Sequence, residues 1–512
     1  MSATSARPPR RDALSRGRRP PTDAGPVPAD APLSRSGEAL ATAVLLTGTF
    51  MVVLDFFIIN VALPTMQRQL GATDTQTQWF VVAYGLAYAC TLVAGGRLGE
   101  LYGHRQCFRA GMLTFLLASA ACGVAQGPGV LCAARALQGL GAALVSPQVL
   151  VLLGRLLPAA RQARAFSWYG LVLGVASTGG QILGGLLLAY AGADWGWRAC
   201  FLVNVPICAA ALALSKRALP AEPRRPRGEA DVAGMVLVCI GMLLLIGPIV
   251  EGRDAHWPAW TWLSLAGAAL AFAGFARRQQ RLARQGRPGM MPPALLAHRG
   301  FLIGLAATLA FYVGNASHYF VLALYLQRGL GLDPLRAGSV FACLAVGFMA
   351  TTLSASRLKR RFGDRTLAGG AAVLAAGHLA LWVVLSTVLP AAGGPVAAPA
   401  MAALCAALVV EGLGIGIVMA PLVATVVALL PPRHAGVGSG LMTTTHQAGN
   451  ALGVALIGLV FFSAGGSGPD LDATRALRAS LVALTASSAL AGWLLWRLGS
   501  QRPITEPDLT PG

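Results

Sequence analysis

The sequence is divided into apolar stretches of about 18 to 26 residues, separated by short polar or Gly/Pro-rich joints. About 20 apolar residues are enough to cross the hydrocarbon core of a bilayer as a helix. Because a bilayer holds no water to satisfy exposed backbone groups, only helices and closed barrels can span it. None of the stretches alternates with the period of a barrel strand, so the pattern predicts an all-α integral membrane protein.

The composition agrees, since 55% of the 512 residues are hydrophobic and only 12% are charged. Soluble domains carry about 25% charged residues. The longest joint, 277–299, is too short to hold a soluble catalytic domain, so any chemistry must take place within or between helices. We number fourteen candidate transmembrane segments in chain order: 39–63, 78–97, 107–126, 130–153, 166–190, 198–215, 232–251, 259–276, 301–325, 337–356, 367–390, 398–423, 435–462 and 478–497.

The positive charge is distributed unevenly among the joints. With the N-terminus placed inside, most of the 40 Lys and Arg residues fall in cytoplasmic joints and tails, as the positive-inside rule requires. The net charge of +20 is thereby explained as a topology determinant, and no nucleic acid partner is needed. This predicts a multi-pass protein of the cell membrane with both termini cytoplasmic, including a disordered tail at 1–38 and a cytoplasmic tail at 498–512.

One joint sequence occurs twice. Residues 96–105 read G-R-L-G-E-L-Y-G-H-R and residues 356–365 read S-R-L-K-R-R-F-G-D-R, after segments 2 and 10 on the same predicted side. A parallel repeat of two six-helix halves, with two helices inserted between them, produces this spacing. We therefore predict an N-terminal bundle at 39–215, two linker helices with basic joints at 216–300, and a C-terminal bundle at 301–497.

Three ionisable residues lie deep within apolar segments. A charged side chain there costs about 2.5 to 3.5 kcal/mol on insertion scales, so it marks a functional site by default. Asp55 in segment 1 and Arg135 in segment 4 differ in depth by about 5 Å, within reach of an arginine side chain or one water. We interpret Asp55 as a proton-binding site; the alternative is a structural ion pair, and for Arg135 a side chain that extends to the interface.

Glu411 lies in the middle of segment 12, before a glycine-rich run. It predicts a second proton site or a site for a cationic substrate, and the alternative is a protonated, structurally satisfied carboxyl. His318 and His378 are more often core histidines than site residues. The nine cysteines lie mostly in apolar segments without a C-x-x-C pair, which predicts no metal site and no disulfide framework.

Six motifs occur in a fixed order along the chain. They are L-D-F-F-I-I-N-V-A-L-P at 54–64, G-R-L-G-E-L-Y-G-H-R at 96–105, R-A-L-Q-G-L-G-A-A at 135–143, G-Q-I-L-G-G at 180–185, W-R-A-C-F-L-V-N-V-P-I at 197–207, and A-G-V-G-S-G…H-Q-A-G-N-A-L-G-V-A at 435–455. In these motifs the chain resembles the major facilitator superfamily, specifically its fourteen-helix drug:proton antiporter branch, over roughly residues 40–500.

The resemblance implies roles for particular residues. It implies proton coupling by Asp55 and Arg135, to which we add Glu411. For the 197–207 motif we expect a structural role, with Trp197 and Arg198 as anchors at the outer membrane interface. It implies a conformational latch at Gly96, Glu100, Gly103 and Arg105, for which a plain positive-inside joint is the alternative. The segment 5 motif, in which Gln181 replaces the usual Pro, comprises Gly180, Gln181, Gly184 and Gly185; ordinary helix packing is its alternative. Candidates for the substrate cavity are Asn60, Gln138, His318, Tyr319 and Gln447.

These features predict a secondary active transporter, and not an enzyme, that exports small amphipathic drugs or antibiotics by alternating access of two bundles. The proton motive force would drive it without a cofactor, since the chain has no phosphate-binding G-x-x-x-x-G-K-[ST] loop. The expected partners are protons, a small-molecule substrate and the lipid bilayer around a monomer. The alternatives are a proton-coupled importer or metabolite exporter on the same fold, a polytopic membrane enzyme, and a transporter-like sensor or scaffold.

Overall fold

The computed structural model describes most of the chain, and all statements below refer to that part. The predicted tails at 1–38 and 498–512 lie largely outside the described residues, which begin at 34 and end at 501. Residues 35–38, predicted as part of the disordered tail, belong instead to the first helix, which begins at Arg35. The described residues contain helices and connecting loops without a β-strand. The described ranges are 34–192, 194–220, 231–287, 289–290, 295, 298–352, 354–363, 365–388, 396–431, 435–466, 468 and 471–501.

The first half of the chain forms seven helices and the middle forms two. The N-terminal bundle consists of α1 Arg35–Leu70, α2 Asp74–Tyr102, α3 His104–Gly123, α4 Pro128–Leu156, α5 Ala159–Tyr190, α6 Gly196–Leu202 and α7 Asn204–Ala218. The inserted hairpin consists of α8 Val232–Glu251 and α9 Ala259–Arg284. Predicted segment 6 is thus divided into α6 and α7, which together still make one crossing.

The second half forms another bundle. Its helices are α10 Arg299–Leu324, α11 Pro334–Thr352, α12 Ala355–Phe362, α13 Arg365–Thr387, α14 Ala398–Val427, α15 Ala435–Gly465 and α16 Ala473–Leu498. A π-helical turn, Tyr325–Gly329, extends α10. The basic joint after predicted segment 10 is itself helical, as α12.

Thirteen of the described helices are long and apolar enough to cross a membrane. The 20-residue α3 packs among them but is less apolar, because it begins with His104, Arg105 and Arg109. The helices extend beyond the predicted segments, since hydrophobicity marks only the part inside hydrocarbon while local signals set the ends. For example, α1 runs to Leu70, where Gly71 adopts a positive φ of 60° and closes the helix.

The two bundles meet mainly along two helix pairs. In the N-terminal bundle α1 packs on α5, and α4 packs on both α2 and α3; in the C-terminal bundle α10 packs on α15 and α16, and α14 packs on α11 and α13. The largest contacts between bundles are formed by α2 with α15 and by α5 with α11, and α1 also contacts α10. The inserted hairpin lies over this seam, because α8 contacts both α2 and α15.

Candidate functional site

The centre of the N-terminal bundle holds a buried ion pair. A guanidinium nitrogen of Arg135, on α4, donates to a carboxylate oxygen of Asp55, on α1. Both side chains are 0% exposed. An isolated buried charge is strongly destabilised, whereas a paired and hydrogen-bonded one is tolerated. The two segments are therefore held together by charges that neither helix could bury alone.

Three uncharged side chains complete the network around the Asp55 carboxylate. Gln138 Nε2 donates to Asp55 Oδ1 over 2.9 Å and to Ser119 Oγ over 2.8 Å. Asn204 Nδ2 donates to the same Oδ1 over 2.8 Å. Gln138 also accepts from Arg135 Nη1 over 2.8 Å. Helices α1, α3, α4 and α7 thus converge on one carboxylate, which accepts hydrogen bonds on both oxygens.

The remaining contacts of Arg135 fix its orientation. Its Nε donates to the Phe80 carbonyl over 2.9 Å, and its guanidinium carbon lies 4.4 Å from the Tyr84 ring centroid. Tyr84 in turn donates to the Val52 carbonyl over 3.0 Å. Arginine does not deprotonate in proteins, so the positive charge of this site is permanent. Only the carboxylate can gain or lose its charge.

The sequence predicted part of this arrangement. Asp55 and Arg135 come together as their helical depths indicated, and the contact is direct. Gln138, predicted as a residue of the substrate cavity, bonds both of them instead. Ser119 and Asn204 were not predicted as site residues. Asn204 belongs to the 197–207 motif, to which only a structural role was given, and its polarity inside an apolar segment was the available signal. Ser119 lies in an Ala-rich stretch and gave no signal.

The expected interface anchors of the 197–207 motif are placed differently. Trp197 is 0% exposed, and its indole N–H donates to Gln69 over 2.5 Å. Arg198 lies 4.4 Å from the Trp197 ring and donates to the Gly123 and Ala125 carbonyls. This motif therefore ties α6 to the end of α1 and to the α3–α4 turn, and does not present an aromatic ring to the membrane interface.

A second buried cluster lies in the C-terminal bundle. His318 Nε2 on α10 is 2.8 Å from Glu411 Oε2 on α14. The His318 and His378 rings, on α10 and α13, have centroids 5.3 Å apart, and His378 Nδ1 is 3.3 Å from Ser488 Oγ on α16. The three ionisable side chains are each at least 98% buried, and their potential ligand atoms lie within 4.8 Å of one another. Glu411 and His318 were predicted as site residues; His378 was interpreted as a core histidine.

Tyr319 lies where the two bundles meet. Its ring stacks on Phe341 with centroids 5.8 Å apart and meets Phe57 of α1 edge to face at 4.9 Å. A small cavity of about 20 Å³, with room for about one water molecule, opens beside it. It is lined by Phe57, Ser177, Thr178, Asn315, Tyr319, Ala345, Phe348, Ile415 and Met419. The predicted cavity residue Tyr319 therefore faces a space shared by both bundles.

The other predicted cavity residues occupy different surroundings. Asn60 is buried in α1 and donates to the Phe56 and Phe57 carbonyls of its own helix, while its Oδ1 has no hydrogen-bond partner among the described residues. Gln447 on α15 accepts from Asn450 over 3.2 Å and lies within hydrogen-bonding reach of Tyr88 on α2. Gln138 belongs to the Asp55 network. Asn60, Gln138 and Gln447 do not line the small cavity.

The glycines of α5 pack against helices of both bundles. Gly180 and Gly184 lie against the α1 backbone, where an added Cβ would come 3.0 Å from the Leu54 and Ile58 carbonyls. Gly185 faces α11, and a Cβ there would come 2.8 Å from the Pro334 carbonyl. Gln181, which replaces the Pro of the related motif, is fully buried. Helix α5 is thus packed between the Asp55 helix and the opposite bundle.

The predicted latch residues lie at the α2–α3 turn. Glu100 pairs with Arg97 one turn earlier on an exposed surface, and Arg105 donates to the Lys216 carbonyl over 3.1 Å. Gly103 has φ +98° and forms the turn, whereas Gly96 contacts Pro147 loosely. A buried contact was not predicted here: His104 Nδ1 is 2.7 Å from Gln148 Oε1 on α4.

Hydrogen bonds between the bundles are concentrated at one end of the molecule. We call it the α1–α2 end, since α1 ends and α2 begins there. Gln78 donates to the Val454 and Ala455 carbonyls, and Gln327 donates to the Val61 carbonyl over 2.8 Å. An ion pair of 3.2 Å joins Arg328 to Asp74. The described residues therefore hold this end closed.

Comparison with known proteins identifies the family. The sequence model of the Major Facilitator Superfamily matches residues 45–454 and 304–511. A probable actinorhodin transporter of Streptomyces coelicolor is 38% identical over 91% of this chain and 79% of its own length. A puromycin resistance protein of Streptomyces alboniger is 35% identical over 81% of this chain and 80% of its own length. A cephamycin export protein of Amycolatopsis lactamdurans is 35% identical over 86% and 88%.

Solved structures show the same fold at low sequence identity. An auto-inhibited peptide transporter aligns with a TM-score of 0.67 and 15% identity, covering 91% of this chain and 98% of that structure. A D-xylose–proton symporter aligns with a TM-score of 0.62 and 14% identity, over 90% and 97%. At such identity the likeness concerns the fold alone, and it agrees with the predicted arrangement of two helical bundles.

Proposed function

Because this chain belongs to the major facilitator superfamily and its relatives include antibiotic exporters and resistance proteins, we propose that it exports amphipathic small molecules in exchange for protons. The exporter would lie in the cell membrane with both termini in the cytoplasm, as the distribution of Lys and Arg predicts. Antibiotics of the kinds named for the relatives are the substrate class to test first.

The observation that carries the proposal is the Asp55–Arg135 pair. A permanent positive charge faces a carboxylate that can be neutralised by one proton, in a fully buried site. Protonation of Asp55 removes the attraction that holds α1 to α4, and deprotonation restores it. A proton entering from outside would therefore loosen the network, and its release to the cytoplasm would close it again.

The site is connected to the other bundle through α1. Phe57, two residues after Asp55, contacts Tyr319 of α10, and the α5 glycines lie between α1 and α11. A shift of α1 on protonation of Asp55 would therefore move residues beside the small cavity and residues at the contact between the bundles at the same time. Alternating access by rocking of two bundles is the way in which this fold exposes a central site to each side in turn.

The energy source is sufficient for export. Each unit charge that moves down a membrane potential of 100 mV supplies about 2.3 kcal/mol, to which a pH gradient adds. One proton at that potential could thus support a substrate concentration ratio of about fiftyfold at 25 °C.

A proton-coupled importer or metabolite exporter on the same fold is the second candidate. It is favoured by Gln181, which stands where the related antiporter motif has Pro. The Gln181 amide is buried, and neither its oxygen nor its nitrogen has a hydrogen-bond partner within the described residues. A polar contact made only in another conformation would satisfy it.

Drug susceptibility of an efflux-deficient bacterial host tests the proposal. The host expresses the wild type, Asp55→Asn, or the control Asp333→Asn, an exposed carboxylate paired with Arg336. The panel includes actinorhodin, puromycin and a cephamycin, the antibiotics named for the three relatives. We expect the wild type and the control to raise resistance to at least one compound and Asp55→Asn, at equal membrane abundance, to raise none. Equal resistance from Asp55→Asn would remove the proton site, and hypersensitivity from the wild type would favour the importer.

A further inference from the structure

The two bundles carry a second repeat, which lies in their interiors. Q-G-L-G at 138–141 on α4 matches E-G-L-G at 411–414 on α14. The first glycine of each copy packs directly on the backbone of the second crossing helix of its bundle: Gly139 on the Tyr84 carbonyl of α2 and Gly412 on the Leu344 carbonyl of α11. Gln138 and Glu411 therefore occupy equivalent positions in the two halves.

The second glycine of each copy extends the equivalence to a third helix. Gly141 packs on the backbone nitrogen of Phe115 in α3, and Gly414 packs on that of Leu374 in α13. Four residues, or about one turn, after each contact lie Ser119 and His378. Ser119 bonds Gln138, and the His378 ring adjoins the Glu411–His318 pair.

The remaining members are contributed by corresponding helices. Asp55 comes from α1 and His318 from α10, the first helices of their bundles; Asn204 comes from α7 and Ser488 from α16, the last ones. The cluster of His318, His378, Glu411 and Ser488, which we call the C-terminal cluster, is thus the internal counterpart of the cluster of Asp55, Ser119, Gln138 and Asn204.

The two clusters differ in what neutralises the acid. Arg135, three residues before Gln138, supplies a permanent cation to the first cluster. Three residues before Glu411 stands Leu408, so the equivalent cation is missing. The only described ionisable groups that act on Glu411 are His318 and His378, and Tyr319 is the other titratable neighbour. Helices α1 and α16 contribute Phe57 and Ser488 to this region, and α15 contributes His446, which stacks on Tyr312 instead.

We propose that the C-terminal cluster is a second proton-binding site, in which one exchangeable proton is shared between His318 Nε2 and Glu411 Oε2 and His378 is the adjacent neutral imidazole. His318 Nε2 and Glu411 Oε2 lie 2.8 Å apart, and neither atom has another hydrogen-bond partner within the described residues, so a proton held between them would satisfy two buried polar atoms at once. Two ligand atoms of one tetrahedral zinc ion would lie about 3.3 Å or more apart, so this separation does not fit a shared zinc ion. Without the proton the cluster holds a buried, uncompensated carboxylate, which is strongly disfavoured.

The C-terminal cluster also lies next to the small cavity between the bundles. Tyr319, the residue after His318, and Ile415, one turn after Glu411, line the small cavity together with Phe57 of the Asp55 helix. Each bundle thus places one proton-binding site behind the same cavity. The inference rests on the proposed function for its role in transport, which would then couple two separate protons to each cycle; binding of the proton itself can be measured without a substrate.

Infrared difference spectroscopy of the purified full-length protein tests it directly. Spectra are recorded between about pH 5 and pH 8, the range in which histidine changes charge, with ring-labelled histidine to identify the bands. We expect a histidine deprotonation in the wild type that is lost in His318→Gln. In Glu411→Gln the same band should shift in frequency or disappear, because the carboxylate partner that shares the proton is removed.

Controls keep the test specific. His446→Asn removes a buried histidine stacked on Tyr312 and should leave the assigned band unchanged, as should Asp55→Asn. If Glu411→Gln does not accumulate, His318→Gln alone decides, since it removes the other partner. Identical spectra from His318→Gln and the wild type would overturn the proposal. The proposal would also be overturned if the wild type shows no histidine deprotonation but binds added Zn²⁺, and His318→Gln does not bind it. Loss of resistance in Asp55→Asn is independent of these outcomes and reports on the proposed function.

Discussion

Phe57 and Tyr319 meet edge to face with ring centroids 4.9 Å apart, and this contact joins the two halves of the molecule at their centre. Phe57 follows Asp55 by two residues, and Tyr319 follows His318 directly. Each ring therefore lies on a helix that also carries an ionisable side chain into the interior of its own bundle. Movement of either helix would be transmitted to the other through the contact between these two rings.

We expect export to require the planar guanidinium group of Arg135, and not only a positive charge at this position. Arg135→Gln leaves the Asp55 carboxylate buried and unpaired, which should cost about 3 to 5 kcal/mol and abolish export. Arg135→Lys retains the charge but cannot bond Asp55, Gln138 and the Phe80 carbonyl at once, so export should fall strongly while the protein still folds. Resistance and the thermal unfolding midpoint, measured in parallel, distinguish the two variants. Wild-type resistance from Arg135→Gln would contradict this account.

Because α5 packs closely on α11 at Gly185, we expect this position to tolerate no side chain without a loss of export. Gly185→Ala places a Cβ 2.8 Å from the Pro334 carbonyl, so the two bundles must separate locally at a cost of about 1 to 3 kcal/mol. We expect reduced export at normal membrane abundance. Gly179→Ala on the same helix is the matched control, because its Cβ meets nothing within 4 Å. Equal losses in both variants would indicate a general effect on α5 and not a contact between bundles.

The sequence predicted the central ion pair because depth along a helix can be read from residue counts. It did not predict Ser119 or Asn204, since which face of α3 and α7 turns toward Asp55 is decided by packing among helices far apart in sequence. The helix ends were also set by features other than hydrophobicity, as Gly71 and the capping box of Thr73 and Gln76 illustrate. The joint repeat indicated two halves, but the placement of His378 became evident only when α13 was seen beside α14.

The inserted hairpin should help to hold the α1–α2 end closed. Trp79 donates to Glu251 over 2.6 Å, the Thr75 hydroxyl bonds Asp254, and Arg253 lies 5.1 Å from the Phe462 ring of the other bundle. The double variant Thr75→Val/Trp79→Phe should lose about 1 kcal/mol of closing free energy, which corresponds to about fivefold faster amide exchange in residues 451–460.

Hydrogen-exchange mass spectrometry of the purified protein measures this effect. Thr47→Val is the control, since within the described part of the chain that hydroxyl bonds the Ala43 carbonyl of its own helix and no residue of the hairpin. Unchanged exchange at 451–460 in the double variant would show that the hairpin does not stabilise the closed end.

Asp231, just before α8, should make the hairpin sensitive to acid. Burial acts to raise the pKa of Asp231, but the bonds from Arg278, the Gly234 N–H and Gln279 outweigh it and lower the pKa below its ordinary value. A carboxylate whose pKa is lowered on folding stabilises the folded state at pH values above its pKa in the unfolded chain, about 3.9. This contribution is lost as the pH falls through the pKa of the folded state.

Asp231→Asn should accordingly lower the unfolding temperature at neutral pH, and the difference from the wild type should shrink below about pH 4. Intrinsic tryptophan fluorescence during thermal unfolding, recorded over a series of pH values, measures this. A difference that stays constant down to the lowest pH would show that the charge of Asp231 contributes nothing.

The most direct test of the central claim is proton-driven transport in sealed liposomes that contain only this protein. The probe is the compound to which the wild type confers the largest resistance, and an acidic lumen supplies the gradient. We predict that the wild type accumulates the compound in the lumen and that Asp55→Asn only equilibrates it, because a neutral amide cannot carry a proton. Accumulation by Asp55→Asn equal to that of the wild type would contradict the account.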